Sequence, residues 1–153
     1  MARIYMASSW KNDRLDTVAQ RLRNAGHEVY DFRTANPAVN FNWGMVSEGA
    51  DPFNPVLSAR QQQAAIRHPI AQRAFGNDRG GLEWADTGVL VMPCGQSAHL
   101  EAGFLLAQGK PVHILLADDM VPELMHLTAG AGNVHATLGE VVEAVGKQGG
   151  DAK

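Results

Sequence analysis

The chain has 153 residues, of which 45% are apolar and 19% charged, with a formal net charge of −3. Those proportions suit one globular domain around one core and exclude a disordered chain. Acids and bases are interspersed, so no basic stripe points to polymeric nucleic acid, and no apolar run is long enough to span a membrane.

The single cysteine, Cys94, excludes an internal disulfide and fits a reducing compartment. The opening "MARIYMASSW" has no basic segment followed by a long apolar one, so no secretion signal is seen and a cytoplasmic protein is expected. One domain is expected over residues 1–147, with a disordered tail at 148–153.

In chain order, "ARIYMA" (2–7) is short, apolar and rich in strand formers. "DRLDTVAQRLRNAG" puts Leu15, Val18, Ala19, Leu22 and Ala25 at helical spacing, with Asn12 or Asp13 as cap and Gly26 as terminator. "HEVYDF" reads as a second strand, and strand-helix-strand at this spacing argues for a parallel sheet. Residues 34–55 show no period and carry Phe41, Trp43 and Phe53, rings that either tuck into the core or stack on a flat ligand. Residues 56–74 read as a helix broken near His68-Pro69, and "GNDRGG" as a turn. "ADTGVLVMP" is a buried strand, followed by a helix over "SAHLEAGFLLAQ" with Ser97 as N-cap and Gly109 just past its end. "PVHILLA" and "GNVHA" are further strands, "VPELMHL" and "TLGEVVEAVGK" further helices.

Alternating strands and helices give an α/β fold, a doubly wound parallel five-stranded sheet in the flavodoxin-like (Rossmann-like) order 2-1-3-4-5. Ligands of such sheets bind beyond the carboxyl ends of the strands, which directs attention to residues 7–12, 31–36, 92–101 and 117–120.

"PCGQSAHLEAG" concentrates reactive residue types at one such end. Cys94 has no cysteine partner, and Pro-Cys precedes His-x-Glu rather than following it, so a zinc deaminase site is excluded. A small buried hydrophobe is the plain reading of Cys94. "GQSAH" approaches a nucleophile elbow, but His99 stands where a small residue is needed, and Asp118, His126 and His135 have no supporting spacing. Ser97 therefore reads as a helix cap or a phosphate-binding hydroxyl. Glu101 falls in the first turn of the expected helix. It is either a glutamate favoured by the helix dipole or a carboxylate able to attack an anomeric carbon. Asp78, in the glycine-rich loop, is either a turn aspartate or a group brought over the same crevice. Asp86 opens the third strand and is expected to cap or bond the turn before it.

"RIYMASSW", "NDRGGLEWAD", "HLEAGFLLAQGKPV" and "AGNV", in this order, resemble the nucleoside 2-deoxyribosyltransferase superfamily, with its related nucleotide N-glycosidases and hydroxymethyl-CMP hydrolases. The resemblance covers residues 3–145. It implies Glu101 as the nucleophile on C1′, Tyr5 as the hydroxyl that orients it, and Asp78 as the group that handles the departing base. It implies Asn133 as a contact to the sugar in a neighbouring subunit's site, hence a homo-oligomer. The transferases carry an aspartate six residues before the nucleophile, where this chain has Gly95. Ser97, His99 and the helix start then suit a 5′-phosphate, as in the nucleotide hydrolases. Ser8, at the end of the first strand, joins the substrate-binding set, and Phe41 or Trp43 would stack on the base. A small nucleoside or nucleotide is the expected partner, with no metal and no cofactor. TIR-like domains share this layout and its glutamate, so an NAD-cleaving or purely nucleotide-binding signalling module is the alternative.

Overall fold

The computed structural model describes residues 1–34, 41–47 and 56–148. Much of the 34–55 segment, Phe53 included, and residues 149–153 of the expected tail lie outside the described residues.

Five strands, β1 (Arg3–Ala7), β2 (Glu28–Asp31), β3 (Thr87–Val91), β4 (Val112–Leu115) and β5 (Val134–His135), form one sheet in the order β2-β1-β3-β4-β5. Every pairing is parallel. This is the doubly wound α/β arrangement expected from the alternation of elements. β3 and β4 are buried along their whole length, as continuous apolar runs in a sheet covered on both faces should be.

Side chains alternate between the faces. Ile4, Met6, Val89, Val91 and Leu115 meet α1 (Leu15–Asn24) and α5 (Leu138–Gln148) on one face, through Val18, Leu22, Val141 and Val145. Tyr5, Ala7, Leu90, Met92, Val112 and Ile114 meet α4 (Gln96–Ala107) on the other, through Ala98, Ala102 and Leu105. Gly88 sits beside Tyr5 and Val112 in register. A Cβ there would stand 2.5 Å from Leu105 Cδ1, so the missing side chain is what lets α4 lie low over β3. A Cβ at Gly103 would meet nothing within 4 Å, so no close backbone approach depends on that glycine.

The chain divides into two compact units, residues 1–32 with 82–153, and residues 33–81. The first unit holds the whole sheet. Within the second, Phe41 and Trp43 meet edge to face, at 5.0 Å and 80°, around a 3-10 turn at Trp43–Met45. α2 (Ala59–Arg67) opens on a reciprocal cap in which Ser58 and Gln61 each bond the other's backbone N–H. The helix breaks at His68, as the following proline demands, and Pro69 begins α3 (Pro69–Trp84).

α3 corrects one expectation. "GNDRGG" is not a turn but lies inside this helix, so Asp78 is a helical residue. Each of the interior glycines Gly76, Gly80 and Gly81 costs about 1 kcal/mol relative to alanine. Leu82 and Trp84, at the end of the helix, pack into the core against the α4 face of the sheet, and that burial outweighs a weak local preference.

Helix ends differ as well. Gly95, not Ser97, is the N-cap of α4, and it caps without a side chain. Ser97 is helical and exposed, so its hydroxyl does not serve as the cap. α4 thus starts early enough that its first turn holds no acidic residue, and Glu101 stands in the second. The dipole argument for Glu101 weakens accordingly, since that field decays within the first turn. Gly26 and Gly109, at φ of 87° and 73°, terminate α1 and α4 as expected. "VPELMHL" folds as a 3-10 segment at Leu124–Ala129 rather than as an α-helix, followed by a second at Ala131–Asn133.

Candidate functional site

α4 begins where β3 ends, so its first turns lie at the carboxyl edge of the sheet. About 100° separates successive helical residues. Ala98, Ala102 and Leu105 mark the buried stripe, which leaves His99 on one flank and Glu101 on the other. His99 faces the β4 side, where its Nε2 lies 3.4 Å from His126 Nε2 in rings parallel to within 3°. Glu101 is therefore on the flank turned to β1. Tyr5 lies on that side, fully buried and stacked on Tyr30 at 5.2 Å and 12°. Leu105 drops over Gly88, the register partner of Tyr5, and Glu101 is one turn, about 6 Å, nearer the sheet's carboxyl edge.

Cys94 lies beside His99, its Sγ 3.6 Å from His99 Nδ1. Its thiol is pushed up to about 11, first by burial and second by the charge of Glu101. It stays protonated at neutral pH and donates to Met92 Sδ at 3.3 Å, which makes it packing rather than a nucleophile.

The protons on the histidine pair follow from their partners. His99 Nδ1 is 3.1 Å from Gly95 O, and a carbonyl only accepts, so Nδ1 carries the hydrogen. In the neutral ring this tautomer makes Nε2 the acceptor facing His126 Nε2. Burial, and next the neighbouring His99, hold His126 below its ordinary value. His126 also lines a cavity of about 510 Å³ beyond β4, whose other walls include Met92, Leu116, Met120, Leu124 and Val134. His99, expected on a phosphate, is thus engaged with His126 on the flank away from Glu101.

The remaining expected residues fall as follows. Ser8 Oγ donates to Val91 O at 2.7 Å, so its hydrogen is committed to the backbone. Ser97 is exposed near the helix start. Asn133 Nδ2 donates to Ala129 O at 2.7 Å, which leaves its carbonyl oxygen for any further partner. Asp78, Phe41 and Trp43 belong to the 33–81 unit. Asp86 lies at the opposite edge from the site. It pairs with Arg3 at 2.6 Å and accepts from the Arg3 backbone N–H, joining the amino ends of β1 and β3. Neither His126 nor His135 reaches Ser97: His135 Nε2 meets His113 Nδ1 at 3.1 Å instead.

Two residues escaped the sequence reading. In the sequence Asn12 reads only as a helix cap, and nothing singles out Arg14. Arg14 is itself the N-cap of α1, and Asn12 Oδ1 accepts its backbone N–H at 3.0 Å. The signal was the polar run "SSWKNDR" directly after a strand's carboxyl end, longer than a turn requires.

Burial disfavours the charged form of three histidines. His27 is lowered by burial and then by the N-terminal charge, and its Nδ1 accepts from the Ala2 N–H. His113 and His126 are lowered by burial first. As pH falls through the ordinary value of 6.5, the unfolded chain binds protons that the fold still refuses. Stability from these groups is full above that value and is lost below it. The thermal unfolding midpoint should therefore fall between pH 7.5 and 5.5, above the range where carboxylates titrate. A midpoint that is flat or rising over that window would contradict the assignment.

No family model matches the chain, and no curated protein does. Solved structures do. A 2-deoxyribosyltransferase from Bacillus psychrosaccharolyticus superposes with a TM-score of 0.61 at 23% identity, over 92% of this chain and 90% of that one. A conserved protein from Enterococcus faecalis gives 0.54 at 13% identity, over 97% and 99%. A CMP N-glycosidase from Clostridium botulinum gives 0.49 at 17% identity, over 95% and 98%. The first two establish a shared fold across nearly the whole chain.

Proposed function

We propose that this chain belongs to the nucleoside 2-deoxyribosyltransferase superfamily and cleaves or transfers the N-glycosidic bond of a small nucleoside or its 5′-monophosphate. The observation that carries the reading is the placing of Glu101 on the β1-facing flank of α4, on the side of buried Tyr5, at the carboxyl edge of the sheet. The fold shared with a 2-deoxyribosyltransferase supports it.

In this reading the Glu101 carboxylate attacks C1′. The C1′–N bond breaks and the bonding pair leaves with the base, which takes a proton from or through Asp78. The transition state carries positive charge on the sugar ring, and a carboxylate is the group that stabilises it. Tyr5 orients Glu101. Water or a second base then opens the glycosyl ester and frees the carboxylate. Trp43 or Phe41 stacks on the base. Ser97, exposed at the start of α4, is the group best disposed for a 5′-phosphate, with the backbone N–H groups of the first helical turn. The chain works as a homo-oligomer in which Asn133 serves the adjoining subunit's sugar. Exposed Val121, Leu124, Met125 and Leu127 supply apolar surface of the kind that such contacts cover.

The test is incubation with a panel of nucleosides, deoxynucleosides, their 5′-monophosphates and NAD, with free base as the readout. Base from a nucleoside or monophosphate is expected. Nicotinamide from NAD alone would favour the TIR-like alternative, and no base from any compound would end the enzymatic reading.

A further inference from the structure

Three successive backbone carbonyls, at residues 91, 92 and 93, mark the exit from β3, and side chains from one short segment hold all three. Ser8 Oγ donates to Val91 O at 2.7 Å. Asn12 Nδ2 stands 3.2 Å from Val91 O and 3.1 Å from Pro93 O, and 3.0 Å from Ser8 Oγ. Arg14 Nη1 donates to Met92 O at 2.7 Å and to Leu116 O, just past β4, at 2.8 Å. Pro93 has no N–H, so at that residue the turn can be held only through its carbonyl. Two residues later Gly95 starts α4, and it does so without a side-chain cap.

We propose that Asn12 is a positioning residue for Glu101: by holding the carbonyls at the β3 exit it sets where α4 begins, and so where the Glu101 carboxylate stands. This rests on the reading of Glu101 as the nucleophile.

Asn12 suits the task for three reasons. It is 5% exposed, so its amide exchanges few bonds with water. Its oxygen is tied to the Arg14 N–H at 3.0 Å, which fixes which end of the amide faces the turn. Its nitrogen carries two hydrogens for three acceptors, so both are always used. The clamp joins the β1–α1 connection to the β3–α4 connection, the two loops that flank the switch point of the sheet. A displacement of about 1 Å in a reacting group lowers the rate by about 100-fold, so a clamp of this kind matters even though it touches no substrate.

Asn12→Asp keeps the shape and the bond to Arg14 but donates nothing to Val91, Pro93 or Ser8. The expected result is a fall in kcat of about 10–100-fold, with KM changed by less than about 3-fold. Asn12→Ser places its hydroxyl where Cγ stood, short of Val91 O and Pro93 O and without the acceptor for the Arg14 N–H, and should lower kcat at least as far. A merely structural asparagine would lower the folded fraction while leaving kcat per folded molecule unchanged, and that outcome overturns the proposal. Amide hydrogen exchange provides a readout free of activity: the N–H of Met92, which bonds Leu115 O, and those of residues 99–103, the first that bond within α4, should exchange faster in Asn12→Asp than in the wild type. If the wild type releases no base, the functional reading fails. Unchanged exchange in the variant overturns the clamp whatever the activity.

Discussion

Glu101→Gln should lower base release by at least about 10³-fold, with the fold intact. Glutamine matches glutamate in shape and polarity, so the α4 flank and its packing with Ala98, Ala102 and Leu105 should survive. What is lost is the nucleophile: an amide oxygen forms no stable ester with C1′, and the positive charge that grows on the ring has no carboxylate facing it. The measurement is free base by chromatography, with circular dichroism as the control for folding. A variant with wild-type turnover would remove Glu101 from the chemistry. A second consequence needs no substrate. Part of the upward shift of the Cys94 thiol comes from the Glu101 charge. Removing that charge should bring the thiol down, so that its reaction with an alkylating reagent sets in at lower pH. An unchanged thiol profile would mean that the carboxylate lies farther from the β3–α4 turn than the structure has it.

Leu105→Ala should be the most costly substitution in the α4 interface, by about 2–5 kcal/mol. Leu105 is 0% exposed, and its Cδ1 occupies the space that Gly88 leaves empty. Deleting it opens a cavity over the middle of β3. For a chain of this size the loss corresponds to a fall in Tm of roughly 2–4 °C per kcal/mol. Gly88→Ala alone forces a methyl to 2.5 Å from the same Cδ1, and overpacking of that kind costs about 1–3 kcal/mol. In the double variant the new methyl enters the space that Leu105 vacates. The pair should therefore cost clearly less than the sum of the single changes. Strict additivity would show that α4 does not lie on Gly88.

The strands, and the helices flanking them, were legible because burial leaves a period in the chain. "RIYMA" and "TGVLV" are short and apolar, and they became β1 and β3. Leu15, Val18, Ala19 and Leu22 recur at helical spacing and became the buried face of α1. His68-Pro69 forbids a continuous helix and ended α2. Strand-helix alternation and the handedness of the crossovers then restricted the sheet order to very few choices. Local glycine content misled where packing was stronger, as in "GNDRGG", which reads as a turn and folds as the middle of α3. The cap of α4 was misplaced for a related reason: serine is a favoured cap, but Gly95 comes first and needs no side chain to begin the helix.

The site divides the same way. Glu101 and Tyr5 could be singled out from residue type, motif and position relative to the strand ends. Which residue stands beside which could not. His99 and His126 are 27 positions apart, and only the packing of the Leu124–Ala129 segment beside α4 makes them partners. Asn12 meets Pro93 across 81 positions, and Arg14 meets Leu116 across 102. The amino-acid sequence by itself determined the class of fold, the faces of the elements and the residues able to do chemistry, because hydrophobic periodicity and backbone preference act over neighbouring residues. Only the tertiary structure decided that Glu101 lies on the β1 flank and His99 on the other, and that Ser8, Asn12 and Arg14 hold the exit of β3. Hydrogen bonds between polar side chains and distant carbonyls have no period and appear only once the sheet has brought the strand ends together.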